Sequence, residues 1–162
     1  MQKMQTNNRG ESQNSPSATS EVFPLIGKQF PEQLIPVINE AEREIKIIVF
    51  DWRWYPNTPG SIIQKFSMAI INAKKRGVKV SVIGNHADVL GVLSRFGCNT
   101  KRLITERLVH TKLMLIDDNI TIIGSHNYTQ NAFMKNYEAS VMIYDKIVKD
   151  TFDDYFQNLW LL

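Results

Sequence analysis

The stretch His110–Thr129, HTKLMLIDDNITIIGSHNYT, consists of two apolar runs joined at Asp118 and Asn119, and each run carries polar side chains among its hydrophobic ones. Short Leu- and Ile-rich runs separated only by a turn read as two antiparallel strands of a hairpin. Alternate side chains of a strand share a face, so His110 and Lys112 point one way, and Ser125 and Asn127 share a face of the next strand. If the strands are neighbours, four polar groups converge on one pocket. His126 falls between Ser125 and Asn127 and faces away from them, which makes it a structural or groove-lining residue.

Upstream of this hairpin the chain alternates between helix and strand. In FPEQLIPVINEAERE the positions Leu34, Ile35, Val37 and Ile38 recur at helical spacing, and IKIIVFDW follows as a strand buried on both faces. The segment SIIQKFSMAIINAKKRG has a Ser cap at Ser61, an apolar stripe, a basic last turn and Gly77 as a stop, the order a helix requires. VKVSVIG is a second strand, ADVLGVLSRFG a second crossover helix, and a short strand lies around Asn99 to Leu103. Downstream, the polar loop NYTQNAFMKN leads to the strand YEASVMIY and a C-terminal amphipathic helix, KIVKDTFDDYFQNLWLL. The expected fold is α/β: a mixed, mostly parallel sheet flanked by helices on both faces. Residues 1–21 are polar and are expected to be disordered, leaving residues 22–162 as one folded domain.

Composition narrows the function. With 43% hydrophobic and 22% charged residues the chain reads as an ordinary soluble domain, and no apolar run has the length of a membrane span. The N-terminus lacks the pattern of a secretory signal, so a cytoplasmic location is expected, without a membrane partner. One cysteine, Cys98, allows no intramolecular disulfide and no thiolate metal site. Between Lys65 and Lys112 ten basic residues face two acidic ones, Asp88 and Glu106, which makes a polyanionic partner plausible. Lys101, Arg102 and Arg107 lie closest to the hairpin. Trp54, in DWRWYP, could stack on bases, although packing at a strand end is the simpler account of both Trp52 and Trp54. His86 suggests no role.

The pattern His110-x-Lys112-x4-Asp117, with Gly124-Ser125-x-Asn127 and a later Glu138, resembles the HKD signature of the phospholipase D superfamily. Because it occurs once, the chain looks most like that superfamily's small bacterial endonucleases, which carry one motif and act as dimers. The resemblance implies a metal-independent phosphodiesterase, most plausibly an endonuclease on DNA, with RNA left open. It needs no cofactor, and no carboxylates cluster beside the motif as a divalent ion would want.

In that reading His110 is the nucleophile and forms a phosphohistidine, Lys112 supplies positive charge to the nonbridging oxygens, and Asn127 and Ser125 donate to them. Gly124 allows close backbone approach. The resemblance assigns Glu138 to the imidazole Nδ1 and makes Asp117 structural, closing the strand end. Two histidines are required and one is present, so the second comes from another copy in a symmetric homodimer. The alternatives are a phospholipase D or phosphatidyl transferase using the same chemistry on lipid headgroups, and a catalytically silent nucleic-acid-binding module.

Overall fold

The computed structural model describes residues 19–162. Along the chain the elements are β1 (Glu21–Ile26), α1 (Gln29–Glu40), β2 (Glu44–Val49), α2 (Ile62–Lys75), β3 (Lys79–Gly84), α3 (Ala87–Arg95) and β4 (Asn99–Arg102). They continue with β5 (Leu113–Ile116), β6 (Ile120–Gly124), α4 (Gln130–Met134), β7 (Ala139–Tyr144) and α5 (Lys146–Trp160). The strands form one seven-stranded sheet in the order β1-β7-β6-β5-β2-β3-β4.

Period-two alternation sends the side chains of the central strands β2, β3 and β5 into two separate cores. Ile45, Ile47 and Val49 of β2, Val80 and Val82 of β3, and Met114 and Ile116 of β5 join the main core with Leu34 and Ile38 of α1, Phe66 and Ile70 of α2, Leu90 and Leu93 of α3 and Phe133 of α4. The intervening Ile48, Ile83, Leu113 and Leu115 meet Phe156 of α5 on the opposite face. Helices therefore cover both faces, four on one and α5 on the other.

Helix α2 begins where the Ser61 hydroxyl accepts from the Gln64 N–H at 3.3 Å, and ends at Gly77, whose φ of 103° a side chain would strain. Helix α5 is fixed in register by charge as well as by Phe156. Lys46 on β2 reaches Asp153 at 2.6 Å and Glu44 at 3.2 Å, and Lys149 reaches Asp153 at 3.1 Å and Glu44 at 3.3 Å, with both lysines buried. No described helix is long and apolar enough to cross a membrane.

Three expectations need correction. The sheet is mixed, but its balance is antiparallel: β2/β3 and β3/β4 are parallel, while β2/β5, β5/β6, β6/β7 and β7/β1 are antiparallel. The strand–helix alternation governs only the first half, and after β4 the strands pair antiparallel with their neighbours, beginning with a hairpin too short for a crossover. Of the expected disordered segment 1–21, residues 1–18 lie outside the described residues. Glu21 already pairs with Tyr144 as the first residue of β1, and the Ser20 hydroxyl donates to Asp145. The loop after Asn127 contains α4, capped by Thr129, whose hydroxyl accepts from the Ala132 N–H at 3.1 Å.

Candidate active site

Topology brings the motif together. Because β5 runs antiparallel to β2 and β6, the segment before β5, the segments after β2, β3 and β6, and the segment before β7 all emerge at one sheet edge. His110, Lys112, Gly124, Ser125 and Asn127 line an open depression there, with a volume of about 580 Å³. His110–Lys112 precede β5 and Ser125–Asn127 follow β6, so the polar residues lie just beyond the ladder instead of within it.

His110 is exposed, its ring 4.9 Å from the Phe50 ring. Lys112 Nζ donates to the His110 carbonyl at 2.8 Å, lies 3.2 Å from both ring nitrogens, and stands 5.4 Å from the centre of the Phe50 ring. Partial burial lowers the Lys112 pKa below the usual lysine value, and the Glu138 carboxylate opposes that shift.

Asn127 Oδ1 accepts from the Asp51 N–H at 3.1 Å. Only the amide oxygen can take that proton, so the NH2 end is turned away from Asp51 and has no hydrogen-bond partner among the described residues. Ser125 accepts from the Ala139 N–H at 3.0 Å and donates to Glu138. Its one proton is directed at Glu138 in this arrangement, and a phosphate oxygen would have to compete with that carboxylate for it.

Glu138 also differs from expectation. Its carboxylate accepts from the Ser125 hydroxyl and from Asn136 Nδ2 at 3.2 Å, and no hydrogen bond among the described residues joins it to His110. The cause is sheet order: Glu138 leads into β7, which neighbours β6, whereas His110 leads into β5 one strand further on.

Gly124 stands where β6 and β7 approach closely. A Cβ added there would lie 2.4 Å from the Ser140 Cα and 2.5 Å from the Ala139 carbonyl oxygen. Asp117, at φ 50°, closes the end of β5 and accepts from the N–H groups of Arg43 at 2.8 Å, Glu42 at 3.0 Å and Glu44 at 3.1 Å. Burial disfavours its charge, but those three donors and the Arg43 guanidinium outweigh burial and hold the carboxyl below the usual aspartate value.

His126 points away from the depression. Buried and stacked on Phe30 at 4.2 Å, it bonds the Ser140 hydroxyl at 2.7 Å and the Gly27 carbonyl at 3.0 Å. Burial lowers its pKa despite the Gly27 carbonyl and the Glu138 charge.

The expected nucleic-acid contacts divide. Arg102 and Arg107 are exposed near the edge, but Lys101 Nζ donates to the Trp160 carbonyl at the end of α5. Trp54 is half-buried against the main core and so does not stand free as a stacking platform. Trp52 is buried, its indole N–H donating to Ser67 at 3.0 Å. Among the described residues no three His, Cys, Asp or Glu side chains are grouped as a metal ion would require.

Sequence reasoning missed Phe50, Asp51, Asn85 and His86 at this edge. The only signal was their position, two polar residues directly after β3 and Phe50-Asp51 directly after β2, and its meaning depends on strand order.

Residues 34–160 match the family model described as "Cardiolipin synthase, PLD-like domain". The chain belongs to this phospholipase D-like family. It is 22% identical over 134 residues to a mitochondrial cardiolipin hydrolase of Xenopus tropicalis, covering 79% of this chain and 60% of that protein. The chain thus spans somewhat under two thirds of that relative's length. Its fold is similar to that of Nuc, a phospholipase D family member from Salmonella typhimurium, with a TM-score of 0.76 and 20% identity over 88% of this chain and 95% of Nuc. NucT from Helicobacter pylori is similar at a TM-score of 0.72 and 23% identity, covering 88% of this chain and 96% of NucT. The family is one of phosphodiesterase-type enzymes. Of the motif residues, His110, Lys112, Gly124, Ser125 and Asn127 line the depression, while Asp117 and Glu138 lie outside it.

Proposed function

We propose that the chain is a metal-independent phosphodiesterase, an endonuclease on DNA that works in the cytoplasm as a homodimer with one site shared by two copies. The observation that carries this reading is the depression itself. It presents an exposed imidazole, an ammonium and an outward amide to one volume, the set an anionic phosphodiester needs.

His110 Nε2 attacks phosphorus, a P–N bond forms, the P–O ester bond breaks, and the leaving oxygen takes a proton from the second copy's His110. That imidazole then removes a proton from water, whose oxygen displaces His110 from phosphorus. Lys112 and the Asn127 amide hold the nonbridging oxygens through both steps.

The dimer draws support from a surface. Helix α5 leaves the β1–β7 end of its sheet face uncovered, with Val22 54% and Ile26 56% exposed. This face runs to the fully exposed Tyr137 and to Glu138, which line a second open depression with Ile26 and Ser125. An imidazole from a second copy seated there would meet the Glu138 carboxylate that one copy's His110 does not reach.

The basic segment, with Arg102 and Arg107 exposed in the stretch of chain that leads to His110, favours nucleic acid. A second reading, attack on lipid headgroups, is favoured by the similarity to a cardiolipin hydrolase and by the exposed Ile104 and Leu108 near His110. Incubation with labelled single-stranded DNA, duplex DNA, RNA and cardiolipin vesicles in excess EDTA separates them. Cleavage of DNA supports the proposal, release from vesicles alone supports the lipid reading, and activity only after Mg²⁺ is restored refutes the mechanism.

A further inference from the structure

The nucleophile's segment is not held by the sheet. Strand β5 begins only at Leu113, so His110 lies outside the ladder that fixes its neighbours. Two residues between β3 and α3 hold this edge together instead. Asn85 Nδ2 donates to the Phe50 carbonyl at 2.9 Å and to the Val109 carbonyl at 3.1 Å. Phe50 packs against His110, and Val109 directly precedes it. One amide thus ties the nucleophile's backbone to the end of β2.

His86 acts on the other half of the site. Its Nε2 lies 3.0 Å from Asp51 Oδ1, at ion-pair distance, and Arg53 Nε lies 2.6 Å from the same oxygen, which accepts no aligned hydrogen bond among the described residues. The Asp51 N–H holds Asn127 Oδ1 at 3.1 Å, and its carbonyl accepts from the Tyr128 N–H at 2.9 Å. The anchored Asp51 backbone therefore decides which end of the Asn127 amide faces the depression. Although His86 is the N-cap of α3, its side chain makes no cap hydrogen bond, so helix capping does not account for this contact.

We propose that Asn85 and His86 are positioning residues of the phosphodiesterase site, Asn85 fixing the approach of His110 and His86, through Asp51, fixing the Asn127 amide. The proposal rests on the phosphodiesterase reading of that site. A reacting atom displaced by about 1 Å loses on the order of a hundredfold in rate, so tethers of this kind control turnover more than binding.

The test uses bis(4-nitrophenyl) phosphate, which is too small to depend on remote nucleic-acid contacts. Asn85→Ala is expected to lower kcat by about 10- to 100-fold with KM within about threefold, and to shift the His110 imidazole NMR resonances in the folded protein. His86→Ala should lower kcat/KM by about tenfold, and His86→Gln, which keeps an N–H donor at similar reach, should restore most of it. Folded Asn85→Ala protein with wild-type kcat and unchanged His110 resonances overturns the proposal. If Asn85→Ala does not fold, the His86 pair decides: equal loss in Ala and Gln, or none in either, overturns it, and loss with rescue supports it. If the wild-type chain cleaves no phosphodiester, the functional reading fails instead, and the His110 resonances of folded Asn85→Ala still decide whether Asn85 positions the imidazole.

Discussion

Gly124→Ala places a methyl group where β6 and β7 leave no space. The added Cβ would meet Ser140 Oγ at 2.2 Å, Ser140 Cα at 2.4 Å and the Ala139 carbonyl oxygen at 2.5 Å. Two of these are backbone atoms, so no rotamer change relieves the overlap, and the strands must part by roughly 1 Å to restore ordinary contact. Overpacking of this kind costs about 1–3 kcal/mol. Ser140 Oγ is also the partner of buried His126, and losing that bond adds about 1–3 kcal/mol for the unsatisfied imidazole. A total near 3 kcal/mol corresponds to a fall in Tm of roughly 6–12 °C for a chain of this size. The same parting moves Ser125 away from the Ala139 N–H it accepts from, so turnover should fall in the surviving folded fraction. Urea unfolding followed by tryptophan fluorescence gives the stability, and initial rates per folded molecule give the second effect. A variant within 0.5 kcal/mol of wild type would refute the close-approach argument, because the strands would then have room that the structure denies them.

Asp153→Asn should destabilise by about 3 kcal/mol in denaturant melts, since buried Lys46 and Lys149 would share only Glu44 as a counter-charge; a loss under 1 kcal/mol would mean α5 docks on apolar packing alone. The Asp117 carboxyl is depressed in the folded chain, so its contribution is complete above its unfolded pKa near 3.9 and is lost as pH falls through the lower folded value. Melts of wild type and Asp117→Asn should therefore differ at pH 7 and converge in acid, whereas a constant gap would show that the charge is irrelevant. For Lys112, lowered by burial, phosphate binding is lost as pH rises through its pKa, so the alkaline limb of the rate profile should lie below the ordinary lysine range. Lys112→Arg should move that limb upward, and an unmoved limb assigns it to another group.

Much of the fold could be read where local signals agree. Ser61 and Gly77 delimit α2 because cap and stop are local chemistry, and β2, β3 and β5 are apolar runs of strand length. Strand β1 gives no such signal: EVFPLI buries one residue in six, so its alternation is absent, and only pairing with β7 makes it a strand. Helix α4 spans five residues, too short for a period to show. The motif residues were legible as a set, since His110, Lys112, Ser125 and Asn127 do share one depression. Their partners were not. The Asp51 contact with Asn127 and the Asn85 contact with Val109 join distant parts of the chain, and only the strand order brings those parts to one edge. Lys101 and Trp54 illustrate the converse, residue types suited to nucleic acid that local packing claims first.

The proposal of a site shared by two copies is tested most directly by mixing wild-type chains with His110→Asn chains under conditions where subunits exchange, with exchange confirmed by native mass spectrometry. A heterodimer holds one imidazole and therefore a nucleophile without an acid, or the reverse, so only wild-type pairs turn over at the full rate. Activity on DNA in EDTA should fall as the square of the wild-type fraction. A linear fall would contradict the composite site and place the whole reaction within one copy.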